Sequence, residues 1–589
     1  MPQIFYSWLF YFMLAHLILL VYLFWANIKY LYQEVKRIDK KIWIILLLVF
    51  LFGFYLRNSE YWLGPHTDGY VAQESAHMWV LHGEFVKSCA LGNHEDCKIY
   101  EQVLAPPGFP FIISLSHLIF GIHSLNASVI SAILSSLTIL LTFLIAYLVS
   151  KKEEIGLYAA LIFSLIPINI VNSQTGLSRP TGLFFTGLTI LFYYLAIKNN
   201  KIITWLLAAV CLSYAIYVRQ ESYILLPFLI LFTILYKWKH IKNFFIELFI
   251  NGKINFRLIL CFLLTCFIFL ILQIPVLSWL LFDNPYNSYQ GGGFFALHYK
   301  GVLIQGQAIL MQFFNHSPVG YDIFHYNIVS SVLFFLGLLI VFIFPNKNKF
   351  FIFGLFFSYF IVYSFMFDGN VYGTGGLTGD YFRRSLMFCL PYSIIAGCGI
   401  YILNPFKNKK YLPFSLVLCF LLIIFFIIIN VNISLNHSWE SSNFRSFTQN
   451  YNFYFPKSFL KDTRETKSGD RTLIYPGAEY WSATSKTPND CLIITSQHMI
   501  ITNDYFENNN RKTALIDLIN YNNPNLFLEE FADNNCVIYF EDYRCDNNYQ
   551  DGNDYACQFL IENLEKEFLF QEGEIKVYSA KLKNNIYEI

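Results

Sequence analysis

Residues 66–85 read HTDGYVAQESAHMWVLHGEF, and residues 105–121 read APPGFPFIISLSHLIFG. Ala72, Ala76, Trp79, Val80 and Gly83 recur at helical spacing after Asp68. That pattern predicts an amphipathic helix with the carboxylate just before its first turn. Such a helix lies on a membrane surface rather than crossing it. The run 109–120 is apolar but only about 12 residues long, too short for a hydrocarbon core that takes roughly 20, so it too is expected at the interface. Together they form a loop, 58–126, that presents one acid at a membrane boundary between two interfacial helices.

Outside this loop the chain is apolar almost throughout. Its 589 residues are 56% hydrophobic and 14% charged, which fits neither an ordinary soluble protein nor a disordered one. The fold class expected is an α-helical polytopic membrane protein. A net charge of +1 and the lack of a basic tract interleaved with aromatics exclude a nucleic-acid partner.

Apolar runs long enough to cross occur at 7–27, 42–56, 127–149, 155–172, 181–197, 202–218, 223–236, 258–282, 328–344, 350–367, 385–403 and 412–430, giving about 12 crossings by length. The first is too long for a signal-peptide core and has no basic residue before it, so it is expected to anchor the chain. The connections alternate in character. Those at 29–41, 151–152, 198–201, 237–257, 347–349 and 407–410 hold most of the Lys and Arg and are expected in the cytoplasm. Asp68, Arg179, Arg219 with Glu221, and the loops 283–327 and 368–384 then face outside, as do both termini.

Cysteine usage agrees with this sidedness. Of 12 cysteines, Cys211, Cys261, Cys266, Cys389, Cys398 and Cys419 fall inside crossings and none falls in an expected cytoplasmic loop. The others are external, where disulfides persist. Cys89 with Cys97 and Cys545 with Cys557 are close enough to close small loops, and Cys491 and Cys536 each begin a strand-like run. From residue 431 the composition turns polar, with strand-like runs at 472–475, 491–495, 536–540 and 575–579 alternating with helical ones at 512–519 and 556–568. A small external α/β domain is expected there. The organisation read from the sequence is thus an anchor and linker at 1–41, a transmembrane catalytic domain at 42–430 and an extracytoplasmic domain at 431–589.

Three external connections set arginines beside crossings: Arg179 in GLSRP, Arg219 with Glu221 in YVRQES, and Arg383 with Arg384 in GDYFRRS. Guanidinium binds phosphate oxygens bidentately, and a dry neighbourhood strengthens the pairing. Arginines also snorkel to lipid headgroups with no further role, but three loops and an acid on one side favour a phosphate site.

These residues resemble a known family. The first loop is similar to that of the GT-C glycosyltransferases related to protein O-mannosyltransferases and the lipid A aminoarabinose transferase. In that pattern an acid opens the loop, Ala stands eight residues on and Gly fifteen on, and Pro-Pro precedes an interfacial helix ending in Phe-Gly. Asp68, Ala76, Gly83, Pro106 with Pro107, and Phe120 with Gly121 match it here. Arg179 and the Arg-rich start of the segment ending in Leu390 and Pro391 resemble further family positions, and the likeness covers residues 42–403.

The resemblance implies a GT-C-like fold and a sugar donor carried on polyprenyl or dolichyl phosphate. It also implies an extracytoplasmic active site in the cell membrane, with a glycan, lipid or protein acceptor. Asp68 would be the general base and Arg179, Arg219, Arg383 and Arg384 would hold the donor phosphate. One displacement with one base implies inversion. Glu74, His77 and Glu221 are candidates to assist, although on an interfacial helix the first two are more often a solvated face. Departures at Gly69, Ala72 and Ala105, where relatives carry an acid, a Tyr and a basic residue, bear on the donor-sugar contacts. His66 stands two residues before Asp68, but no tight ligand spacing supports a metal, and neither metal nor cofactor is expected. The glycine runs 291–293 and 373–376 lack the strand-to-helix context of a nucleotide cradle. Two rivals are weaker. An oligosaccharyltransferase would carry Trp-Trp-Asp, whereas Trp481 stands alone. A secondary transporter would show related halves and mid-membrane charges.

Overall fold

A computed structural model describes residues 3–58, 67–83, 85, 88–92, 97–101, 106–123, 125–174, 176–238, 256–278, 328–343, 347–365, 385–403, 483–484, 486–495, 512–516, 524–541, 555–572 and 575–583. The chain divides into two units: Met1–Ser59, Pro106–Phe109 and Val129–Ile433 form one, and Glu60–Ala105, Pro110–Ser128 and Ser434–Ile589 form the other.

The first unit is a bundle of apolar helices. In order these are α1 (Gln3–Val35), α2 (Lys40–Asn58), α5 (Asn126–Ser150), α6 (Glu153–Leu165), α7 (Pro167–Gln174), α8 (Ser178–Asn199), α9 (Ile202–Val218), α10 (Leu225–Tyr236), α11 (Phe256–Ser278), α12 (Ile328–Ile343), α13 (Lys347–Phe365) and α14 (Cys389–Leu403). Among the described residues, α1, α2, α5 and α8 are long and apolar enough to cross a membrane, and α6 with α7 makes a fifth span bent by 66°. The others are shorter apolar helices, and the expected crossing at 412–430 lies outside the described residues.

In lipid, helices gain little from burying apolar surface against one another, so close backbone approach and polar contacts decide the packing. Both are present. A side chain at Gly337 of α12 would strike the Ile395 carbonyl of α14, and one at Gly399 of α14 the Leu333 carbonyl of α12. The α1 helix docks on α9 through polar pegs, with Thr204 Oγ1 donating to Asn27 Oδ1 (2.6 Å) and His16 Nε2 lying 3.1 Å from the Val210 carbonyl oxygen. At one end Glu34 pairs with Lys151 (3.4 Å) and with Lys198, gathering three connections expected to be cytoplasmic.

The run 155–172 does not cross as one helix. Pro167 lacks an N–H, and the residue before a proline avoids the α region, so the helix breaks at Ile166 (φ −67°, ψ 115°). The break strands the Phe163 carbonyl, whose i+4 donor would be residue 167. Arg57, fully buried at the end of α2, supplies the missing donors: Nη2 to Phe163 O (3.0 Å), Nη1 to Ser164 O (3.0 Å) and Nε to Ser135 Oγ (3.1 Å).

The second unit joins the first loop to the C-terminal region. Its helices are α3 (Thr67–His82), most of α4 (Gly108–Phe120), α15 (Pro524–Ala532) and α16 (Tyr555–Asn563). A seven-stranded mixed sheet runs in the order β2-β1-β4-β3-β5-β7-β6. Its strands are β1 (Ser88–Gly92), β2 (Cys97–Glu101), β3 (Leu492–Thr495), β4 (Thr513–Leu515), β5 (Val537–Glu541), β6 (Leu564–Glu572) and β7 (Ile575–Leu582). Strands β4, β3 and β5 are parallel neighbours, while β1 pairs antiparallel with both β2 and β4. The first loop therefore contributes a hairpin to the sheet.

Several expectations are corrected here. Residues 512–519 read as helical but supply β4, and 556–568 divides into α16 and the start of β6. The α3 helix is not a surface helix with one solvated face, because residues 72–79 are buried all round, Gln73, Glu74, Ser75 and His77 included. The expected strand 472–475 lies outside the described residues.

Candidate active site

In the first unit the site is assembled at one end of α8. The chain turns into α8 through Gly176, whose φ of +69° favours glycine. Arg179, one residue into the helix, is buried. Arg219 ends α9 with extended backbone, and the short 3-10 turn Gln220–Ile224 brings Glu221 back towards it. Arg219 Nε donates to Glu221 Oε2 (2.9 Å) while Nη2 pairs with Oε1, a fork that fixes the plane of the guanidinium. Its Nη1 donates to Ser178 Oγ (3.3 Å), so the same side chain bridges α9 to the start of α8. Gly182 makes room for this: a Cβ there would sit 2.7 Å from Arg219 Cγ.

Burial raises the Glu221 carboxyl, but the Arg219 charge and hydrogen bonds, with the Arg179 charge behind them, outweigh it and lower it to about 2. Glu221 is therefore ionised at neutral pH and cannot act as a general acid. Two guanidiniums thus stand beside one carboxylate here, and guanidinium is the side chain that pairs bidentately with phosphate oxygens. On α13, Tyr359 faces Thr186 of α8 and feels the Glu221 charge. Its ring lies 6.1 Å from that of Tyr363 and 6.2 Å from that of Phe388.

The structure thus brings Arg179, Arg219 and Glu221 together and adds Ser178, Gly182, Thr186 and Tyr359. The sequence carried no signal for the last two, but Gly182 stands three residues after Arg179 in SRPTG, one helical turn along the same face. Arg383 and Arg384 lie outside the described residues, just before the turn Ser385–Phe388 whose Phe388 meets Tyr359. Gly108, after Pro106 and Pro107, was also missed. A Cβ there would sit 2.6 Å from the Tyr217 carbonyl carbon, so only glycine lets α4 start so close to the end of α9.

In the second unit Asp68 is the second residue of α3, inside its first turn rather than before it. Its side chain lies outside the described residues. Glu74 and His77 follow six and nine residues later. At 100° per residue these fall about 120° and about 180° round the helix from Asp68, so the helix does not place them on the Asp68 face. Around α3 runs a polar network. Gln73 Oε1 accepts from the Ala127 N–H (3.0 Å), which fixes the amide, and Nε2 donates to His123 O (2.9 Å) and to His117 Nε2 (2.9 Å). The His77 ring lies edge-on to His117, with centroids 6.3 Å apart. Burial, reinforced by His123, lowers His117 to about 4 against a hydrogen bond with the Gly121 carbonyl.

Cys491 and Cys536 form a disulfide across the starts of β3 and β5 (Cα–Cα 4.6 Å). Cys557 is also disulfide-bonded. The side chains of Cys89 and Cys97, and Cys545 altogether, lie outside the described residues. Among the described residues no group of three or more His, Cys, Asp and Glu gathers to hold a metal.

A bundle of apolar helices together with an α/β sheet unit gives the chain a GT-C-like fold. Residues 105–279, which include Gly108, Arg179, Arg219 and Glu221, match the family model for dolichyl-phosphate-mannose-protein mannosyltransferase. Among solved structures, the chain is similar to ArnT from Cupriavidus metallidurans bound to undecaprenyl phosphate, with TM-score 0.54 and 9% identity over 92% of this chain and 98% of that one. It is also similar to the oligosaccharyltransferase AglB from Archaeoglobus fulgidus in complex with an inhibitory peptide and a dolichol-phosphate, with TM-score 0.49 and 10% identity over 93% of this chain and 75% of that one. No curated protein sequence matches the chain.

Proposed function

We propose that this protein transfers a sugar from a polyprenyl-phosphate donor to an acceptor hydroxyl on the extracytoplasmic face of the cell membrane. The observation that carries the reading is the cluster of buried Arg179 with the half-buried Arg219 and Glu221, whose guanidiniums suit phosphate oxygens, within a GT-C-like fold. The family match over the same residues supports it, as does the undecaprenyl phosphate bound by the similar ArnT. The Cys491–Cys536 disulfide is consistent with an oxidising compartment for the second unit.

In this reading Asp68 accepts the proton of the acceptor hydroxyl as its oxygen forms a bond to the anomeric carbon. The bond from that carbon to the phosphate oxygen breaks, and the polyprenyl phosphate leaves with the electron pair. Attack and departure on opposite faces invert the anomeric centre. Arg179 and Arg219, with Arg383 and Arg384, hold the phosphate and offset its growing charge. Glu221 takes no proton; it keeps the Arg219 fork aligned.

The test is sugar transfer and release from a panel of polyprenyl-phosphate sugars by detergent-purified protein, wild type against Asp68→Asn. Asn keeps the shape and cannot accept the proton, so a loss on the order of a hundredfold or more with donor binding retained is expected. Turnover that does not depend on Asp68 would move the base elsewhere, and no turnover with any donor would sink the reading.

A further inference from the structure

The sheet of the second unit contains strands from two parts of the chain, 88–101 and 492–582, that are far apart in sequence, and the seam between them is specific. In β1, Leu91 stands opposite Ala514 and Gly92 opposite Thr513 of β4. Leu91 is 1% exposed and belongs to the same core as Leu492, Ile494, Ala514, Leu515 and Tyr539. A residue of the first loop is therefore a core residue of the C-terminal domain. Strand β4 is in turn held by parallel pairing to β3, and β3 to β5, whose starts the Cys491–Cys536 disulfide clamps.

The other end of the hairpin leads back to α3. Phe85, buried between α3 and β1, packs on Trp79 with ring centroids 4.6 Å apart, and Trp79 meets Phe111 of α4 at 5.8 Å. The α3 helix is thus held in its C-terminal half by Phe85, three residues before β1, and by Phe111 of α4. Asp68 sits 11 residues before Trp79 on the same helix. At 1.5 Å per residue that is a lever of about 16 Å, so a tilt of about 4° at Trp79 moves the Asp68 backbone by about 1 Å. A misplacement of that size is enough to cost a reaction on the order of a hundredfold when a group must sit within hydrogen-bond reach.

We infer that Leu91 is a positioning residue for the acid-bearing helix, and that the C-terminal domain holds the first loop in register through the β1–β4 seam. The inference rests on Asp68 being the base of the proposed transfer. A domain that only recruited an acceptor would have no need of a strand from this loop or of a leucine from it in its core.

The experiment compares wild type with Leu91→Ala, Leu91→Val and Leu91→Met in the full chain, by amide exchange and by steady-state transfer. Leu91→Ala is expected to speed exchange of residues 67–71 and 88–92 tenfold or more while β3, β5 and β7 keep their protection. It should lower kcat about tenfold or more with donor KM within about twofold, a split that loss of the donor site would not give. Leu91→Val gives the same pattern at smaller size should the alanine variant fail to fold, and Leu91→Met restores wild-type behaviour. Opening of the hairpin with 67–71 still protected, or with kcat unchanged, would overturn the inference. Exchange is read without turnover, so a protein that transfers no sugar would remove Asp68 as base and yet leave the seam measurable.

Discussion

Burial by itself pushes a carboxyl up and an imidazole down, and only the second outcome occurs here. Glu221 ends at about 2 because Arg219 and then Arg179 outweigh its desolvation. His117 ends at about 4 because burial is opposed only by the Gly121 carbonyl. The Gln73 amide, fixed by Ala127, presents a donor to His117 Nε2, so the nitrogen that would take a second proton faces an N–H. The linkage follows from these directions. Between the ordinary value of 6.5 and about 4 the unfolded imidazole binds protons that the folded one refuses, so stability falls as pH falls through that window. The full span amounts to about 3 kcal/mol. The Glu221 pair adds to this trend only at its acid end, since its stabilisation is complete above the ordinary carboxyl value of 4.5 and is lost as pH falls from there towards about 2. Amide exchange of the first loop, corrected for intrinsic rates, should therefore rise steadily from pH 6.5 to 4 in the wild type and stay flat in His117→Gln; an equal rise in both would contradict the assignment. Such details were not legible in the sequence. Asp68 and Arg179 stood in a recognisable order of motifs, whereas His117 is one histidine in an apolar run and owes its role to Gln73, 44 residues away.

The elements show a similar division, set by whether their cause is local. The apolar runs announced the helices, because length and hydropathy are properties of the segment itself. The short C-terminal segments did not. Residues 513–515 became a strand because β3 and β1 flank them, and tertiary pairing overrides a weak local preference. The broken span lies between these cases. Pro167 was visible, and its meaning depended on Arg57, a single charge at the edge of another apolar run. Arg57→Met should lower stability by about 3 kcal/mol or more, since it leaves the Phe163 and Ser164 carbonyls buried without these donors. Pro167→Ala restores an N–H that can serve Phe163 in a straightened helix. Combined, the two changes should therefore cost less than their sum, with a coupling of about 1 kcal/mol. Thermal unfolding of the four proteins in one detergent measures it. Strict additivity would mean that Arg57 does not substitute for the donor that proline lacks.

At the scale of the whole molecule, the polar stretch from residue 431 reads as an appended domain, yet its sheet is completed by a hairpin from the first loop. Pairing between segments so far apart leaves no pattern in either one, so only the fold displays it. The consequence is a specific outcome for truncation. Removing residues 436–589 deletes β4, leaving β1 without the neighbour opposite Leu91 and Gly92 and leaving Leu91 without its core. Losing the burial of such a leucine costs about 2–5 kcal/mol, comparable with the whole margin of a small hairpin. The truncated protein should therefore show fast exchange across 88–101 and proteolysis within the first loop at least tenfold faster. Its transfer should fall for every acceptor, including slow hydrolysis of the donor by water. That last measurement separates two roles of the domain. If it served only to bring the acceptor, water would remain a competent nucleophile and donor hydrolysis would survive truncation at the wild-type rate. If it holds the loop, hydrolysis falls along with transfer, because both need the same base at the same place. Reduction of the Cys491–Cys536 bond offers a graded version. Closing a loop of that length contributes about 4 kcal/mol in the chain-entropy picture, so reduction should loosen β3 and β5 first and the hairpin only through them.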